Sequence, residues 1–356
     1  MKLLIYLGHP AQYHFFKNII KNLQKDHQVS YLIKTKEVLE PLLRGDKVEY
    51  KNILPEGRKS TKIGVIMGLV KREVKVLREA LRFRPDLMLG TDPSVAHIGK
   101  LLRVSTLTVL EDDVHVIYDL AQITFPFTTL IVAPESCDCG KWNYKKISYA
   151  GYMKLAYLHP NHFQSAPPEN QKTALIRLSN LDAFHDVGIK GFDEDLLGQI
   201  IKRLADDFNI LLSSEKPMGP SFDDYVLRIN PNDIHRVLSR TSILISDSQS
   251  MTMEAAMLGI PSIRFNDFAG RIGVLEELEH KYQLTYGIKP VNPEKLIQTL
   301  ESLLSTPDLN EEFQKRRMKM LEDKIDVTSF FTWLIENYPY SIRIMQDDPD
   351  YQYNFR

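Results

Sequence analysis

The run SDSQSMTMEAAMLGIPSIRF, residues 246 to 265, holds the side chains with the clearest capacity for chemistry. Ile243, Leu244 and Ile245 read as a short buried strand ending at Ser246. Asp247, Ser248, Gln249 and Ser250 then turn the chain into a helix rich in Met and Ala. The first N–H groups of such a helix lack intrahelical acceptors. Together with the positive end of the helix dipole they suit a phosphate or diphosphate, an attraction of about 0.3–1 kcal/mol at an exposed site. Glu254, within the first two turns, is an acceptor for sugar hydroxyls beside that phosphate, such as those of a ribose. The plainer reading of the same residues is N-capping by Asp247, Ser248 or Ser250, with a solvated glutamate behind.

Other reactive side chains fall where strands are predicted to end. A strand at 3–7 runs into GHPAQYHFFK, with His9 and His14; one at 87–89 into GTDPSVAHIGK, with Asp92; and one at 107–110 into LEDDVH, with Glu111. In the second half, a strand at 174–178 leads into RLSNLDAFHDVGIKG, which carries Arg177 and His185, and SSEKPMG, NPNDIHRV and RFNDFAGR end further elements. Carboxylates and histidines supply general acids and bases, and Arg177, Arg264 or Lys216 can neutralise a diphosphate without a metal. Asp112 and Asp113 are adjacent, so in a strand their side chains diverge, and no metal is expected.

These segments sit in an alternation of strands and helices along the whole chain. Further strands are predicted at 29–33, 48–52, 130–132 and 147–150, then at 210–213, 226–229, 243–245 and 262–265. Helices are predicted near 193–206 and 231–240, and mostly helix from 266 to about 337. Such alternation predicts parallel, doubly wound sheets, whose ligands gather at the C-terminal ends of the strands. The 356 residues exceed one typical core. Residues 159–173, with two prolines and no periodicity, read as a linker between domains at 1–158 and 174–337. The acidic, aromatic tail 338–356 is expected to pack back on the first domain or to fray.

Composition narrows the class. With 43% hydrophobic and 26% charged residues the chain is an ordinary globular protein. Its apolar runs fall short of the roughly 20 residues that span a bilayer. No basic leader with a small-residue cleavage site precedes them, so the cytoplasm is the expected compartment. Cys137 and Cys139 are too few for a disulfide scaffold and read as surface-loop thiols. Residues 1–155 carry 24 Lys and Arg against 16 Asp and Glu. Much of that excess lies at 60–84, where apolar residues recur at helical spacing with basic ones between them. This long amphipathic helix is a candidate for peripheral contact with anionic lipid at the inner face of a membrane, although a solvated face is the simpler account. No nucleic-acid motif is present.

GHPAQYHFF, RLSNLDAFHDVGIKG and SDSQSMTMEAAMLGIPSIR together resemble the family catalogued as domain of unknown function 354, in the GT-B group with UDP-N-acetylglucosamine 2-epimerases and many glycosyltransferases. The resemblance spans nearly the full chain. It departs from the family where paired glycines often precede the helix and Ser248, Gln249 and Ser250 stand here. It implies a GT-B fold of two Rossmann-like domains facing across a cleft, the first on the acceptor side and the second on the nucleotide-sugar side. It also implies that Ser248, Gln249 and Ser250 take the diphosphate and Glu254 the ribose.

Two reactions fit that family, and a non-catalytic sugar-nucleotide-binding protein is a third reading. A glycosyltransferase of surface polysaccharide or glycolipid synthesis, using a nucleoside-diphosphate sugar such as a UDP-sugar and a glycan or lipid-linked acceptor, needs a base, for which His14 matches best. It needs no further cofactor. A 2-epimerase uses carboxylates at the ends of strands four and five, here Asp92 and Glu111, with an Arg and a His at Arg177 and His185. The epimerase Gly-Thr-Arg-Pro-Glu loop is absent, and Asp112 and Asp113 replace its usual Ala-Gly, which favours the transferase.

Overall fold

Strands with two apolar faces need helices on both sides, and the chain supplies them in alternation, making two parallel sheets. The computed structural model describes residues 1–36, 38–55, 62–165, 171–179, 192–215 and 218–356, without the side chains of 62–66. The chain divides into two compact units, Met1–Tyr157 with Ile325–Arg356, and Leu158–Lys324.

The first unit runs β1 (Lys2–Leu7), α1 (Pro10–Leu23), β2 (Gln28–Lys34), α2 (Leu39–Gly45), β3 (Lys51–Leu54), α3 (Lys62–Phe83), β4 (Leu87–Leu89), α4 (Pro93–Leu102), β5 (Ser105–Val109), α5 (Tyr118–Thr124), β6 (Leu130–Pro134), β7 (Lys146–Tyr149) and α6 (Leu155–Leu158). The sheet order is β3-β2-β1-β4-β5-β6-β7, every pair parallel. Leu3 pairs with Val29 on one side and Leu87 on the other, and β1 from Leu3 to Leu7 is wholly buried. Strand order reverses between β1 and β4, the switch point where such sheets open a crevice. Right-handed crossovers put α1 and α2 on one face and α3, α4 and α5 on the other.

Close approach of α4 to β5 depends on Gly99. A Cβ there would overlap the Thr106 Cγ2 and lie 3.0 Å from the Val104 carbonyl oxygen. Gly99→Ala is expected to cost about 1–3 kcal/mol by overpacking, measured as a shift in the urea midpoint at unchanged slope.

The second unit contains β8 (Thr173–Leu178), α7 (Glu194–Leu204), β9 (Asn209–Ser214), α8 (Ile234–Arg240), β10 (Ile243–Ser246), α9 (Gln249–Leu258), β11 (Ser262–Phe265), α10 (Gly273–Glu276), β12 (Tyr286–Ile288), α11 (Pro293–Leu304) and α12 (Leu309–Asp323). Its order, β12-β11-β10-β8-β9, is again parallel throughout, with the switch point between β8 and β10.

Four expectations are corrected. The second unit ends at Lys324 rather than at 337, because α13 (Val327–Glu336) belongs to the first unit's core: Phe331 packs edge-on against Phe15 at 4.9 Å and Tyr149 at 5.2 Å. The tail follows it through α14 (Tyr340–Asp347). Gln352, buried, accepts from the Ala150 N–H and donates to Glu135 at 3.1 Å. The strand predicted at 226–229 is a single bridge from Val226 to Leu212, and Val226 and Ile229 stay exposed rather than packing as a buried strand would. β12, unforeseen, is three residues long, too short to show a period. Cys137 and Cys139 are buried rather than surface thiols, folded under the turn Gly140–Lys145. Burial raises both thiol pKa values, that of Cys139 to about 11.

Candidate functional site

In the first unit the loops after β1 and β4 meet at the switch point. His9 caps α1, its Nδ1 accepting from the Ala11 N–H at 3.1 Å. Gln12 accepts from the Gly8 N–H at 2.7 Å and donates to the Thr91 hydroxyl, tying the two loops. His14 lies in the second turn of α1, partly exposed, its ring 5.3 Å from that of Tyr157. Asp92 caps α4, accepting from the Ser94 N–H at 3.0 Å and hydroxyl at 2.6 Å, and pairs with the largely buried Arg72 guanidinium at 3.2 Å. Glu111, just beyond β5, is buried in an ion pair with Lys154 and accepts from the Met153 N–H at 3.1 Å. Asp113 is buried too, holding the Asp138 N–H at 2.7 Å. The structure therefore brings His14, Asp92 and Glu111 to neighbouring strand ends, with both carboxylates already bonded within the unit.

In the second unit the switch point is built around Asp247, whose bonds run between strand ends rather than to the helix it precedes. Its carboxylate accepts from the Ser179 N–H at 2.7 Å and hydroxyl at 2.6 Å, and its carbonyl oxygen accepts from the buried Asn266 side chain at 2.6 Å. One residue thus fastens the ends of β8, β10 and β11. The cap of α9 falls to Ser248, whose hydroxyl accepts from the Met251 N–H at 3.4 Å while its own N–H is held by Ser246 at 2.8 Å. Gln249 and Ser250 open the helix, partly exposed, and contribute N–H groups with no acceptor inside it. Glu254 is not a solvated glutamate: it is buried on α9, 3.2 Å from His235 Nε2 on α8. His235 stands in the NPNDIHRV segment, but nothing in the sequence pairs it with Glu254 on the following helix.

Register across the sheet aligns Ser213, Arg177, Ser246, Arg264 and Gly287, and residues in register on parallel strands project to one face. Arg177 donates to Ser213 at 2.8 Å and pairs with Glu215, and its head stays partly exposed at the strand end. Arg264, read from sequence as a diphosphate partner, is fully enclosed instead. None of its three side-chain nitrogens has a hydrogen-bond partner among the described residues, and the Glu276 carboxylate is 4.0 Å away. Gly287 makes the space, since a Cβ there would come 2.9 Å from the Arg264 Nη2. Burial lowers the Arg264 pKa well below the ordinary arginine value, to about 10, against the pull of Glu279 and Glu276. The candidate residues His185 and Lys216 lie outside the described residues. Among the described residues no three His, Cys, Asp or Glu side chains converge to hold a metal ion, and no helix is long and apolar enough to cross a membrane.

No family model matches the chain, and no curated protein matches it. Solved structures do. The chain is similar over 96% of its length to 98% of S. aureus MnaA solved with UDP, at 13% identity and a TM-score of 0.68. It is similar over 98% of its length to all of the UDP-GlcNAc 2-epimerase of Neisseria meningitidis bound to UDP-GlcNAc, at 13% identity and TM-score 0.64. It is also similar over 95% of its length to all of SsfS6, a glycosyltransferase of Streptomyces sp. SF2575, at 13% identity and TM-score 0.57. Likeness of that extent at so low an identity establishes the architecture: the chain has a GT-B fold, built of two Rossmann-like units.

Proposed function

We propose that this chain is a glycosyltransferase that uses a nucleoside-diphosphate sugar, most simply a UDP-sugar, and serves surface polysaccharide or glycolipid synthesis. One observation carries the reading. At the switch point of the second unit, Asp247 holds three strand ends in place, so that the α9 N-terminus and the partly exposed Arg177 stand at neighbouring strand ends, with Glu254 inside the same helix. The nucleotide's diphosphate takes the N–H groups of Gln249 and Ser250 together with the Ser248 hydroxyl, and Glu254 takes ribose hydroxyls. In the transfer, an acceptor hydroxyl oxygen bonds to the anomeric carbon as the bond from that carbon to the diphosphate breaks. His14 takes the hydroxyl proton, and the diphosphate leaves with the electron pair, stabilised by Arg177 and the helix N-terminus. No metal or further cofactor enters.

The solved neighbours include epimerases, and the three segments shared with domain of unknown function 354 are compatible with either activity. The bonding of the two carboxylates favours transfer. Anti elimination needs an acid and a base able to exchange protons, whereas Asp92 is a cap paired with Arg72 and Glu111 is buried against Lys154.

Thermal denaturation against UDP, GDP, CMP and their common sugars tests the reading. One nucleotide family is expected to stabilise the protein, by about 2.7 kcal/mol at a hundredfold excess over its dissociation constant, and Glu254→Ala is expected to remove the effect. No stabilisation by any of them would overturn the sugar-nucleotide assignment. With the donor found, Asp92→Asn should leave transfer intact, because the amide oxygen still caps α4; its loss together with epimerised sugar would favour the epimerase.

A further inference from the structure

More than half of the large apolar side chains left exposed in the described residues fall between Met67 and Phe127, on α3, α4, α5 and the turns that follow. On α3 these side chains form one continuous face. Arg72, Val76 and Ala80 are buried against the sheet, Glu79 reaches Lys51 of β3, and Glu73 reaches His97 of α4. These contacts fix the rotation of the helix. At about 100° per residue, Met67, Val70, Val74 and Leu81 then share an arc of roughly 60° on the outer side nearest α4. Each is more than half exposed. Lys71, Lys75, Arg78 and Arg82 occupy the adjoining arc toward β3, all exposed, while both nearby glutamates are already paired. The apolar arc continues toward α5, where Ile123 and Phe127 are exposed, and His97 bridges the three helices by contacting Glu73, the Ile123 carbonyl oxygen and the Phe127 ring.

We propose that this α3 face binds the anionic surface of a lipid bilayer, with the apolar arc entering the headgroup boundary and the basic arc meeting lipid phosphates. A solvated helix needs no such apolar arc, and a nucleic acid gives that arc nothing to cover. A second copy of the chain would cover the apolar arc but offers the basic arc no acidic counterpart on this face, since both nearby glutamates are already paired, whereas an anionic surface neutralises it. The assignment stands apart from the sugar-nucleotide reading, since none of these residues belongs to either switch point.

Cosedimentation of the full chain with phosphatidylcholine vesicles, and with vesicles of phosphatidylcholine mixed with phosphatidylglycerol, tests it. Binding to the mixed vesicles only, weakened by salt, is expected. Lys71→Ala with Arg78→Ala should weaken it roughly 30-fold. Val70→Ser with Val74→Ser should weaken it at least about 10-fold. These surface positions leave the core untouched, and an unchanged urea midpoint serves as the folding control. No binding to mixed vesicles, equal binding to both kinds, or unchanged binding by both double variants would overturn the proposal. So would a concentration-dependent dimer abolished by the valine substitutions, which would make the face a contact between copies.

Discussion

Lys154→Met is expected to destabilise the first unit by about 3–5 kcal/mol, the usual consequence of removing one member of a buried ion pair. Lys154 and Glu111 are both nearly enclosed, and the remaining bond from the Met153 N–H cannot compensate a buried carboxylate. For a unit of this size the loss corresponds to a fall in melting temperature of roughly 6–20 °C. Urea denaturation, followed separately for the two units, measures it. Glu111→Leu combined with Lys154→Met should recover most of the stability, because no charge is then stranded. A single-variant loss below about 1 kcal/mol would mean that Glu111 is better hydrated than its surroundings allow. The result bears on function as well, since a carboxylate needed to stabilise the fold is poorly suited to cycle through protonation.

Arg264→Met is expected to act in the opposite direction, raising the stability of the second unit near neutral pH by about 1–4 kcal/mol, the range for replacing a buried charge with an apolar side chain of similar volume. The guanidinium is enclosed without a hydrogen-bond partner among the described residues, and burial depresses its pKa from the ordinary arginine value to about 10. A depression of that size disfavours the charged form by about 3 kcal/mol. A cation whose folded pKa is lowered penalises folding fully below that pKa, and the penalty fades as pH rises past about 10 toward the ordinary arginine value. Methionine fills similar space without charge, and Glu279 keeps its bond from the Gly287 N–H at 2.9 Å. Denaturant midpoints of the parent and variant at neutral pH decide it. A variant less stable than the parent would show that Glu276 and Glu279 repay the burial through the 4 Å gap.

Both results concern groups whose environment is invisible along the chain. The sequence locates β4 and β11 to the residue: LML is apolar on both faces, as a fully buried strand can be, and SIRF follows Pro261 with Ile263 and Phe265 alternating on one face. The turn into α9 was equally plain, since capping and helix propensity act within a few residues. Lys154 is different. It lies in an apolar stretch whose burial depends on Glu111, 43 residues earlier, and neither predicts the other. Asp247 read as one cap among three, and its bonds to Ser179 and Asn266 exist only because β8, β10 and β11 lie side by side.

Local patterning was enough for the class of fold, two parallel sheets with reactive groups at the strand ends, because period and capping are properties of neighbouring residues. The partners of those groups came from strand order and from which helices pack side by side. Hydrogen bonds and ion pairs depend on distances of a few ångströms, and for residues far apart in sequence such distances are set when elements pack.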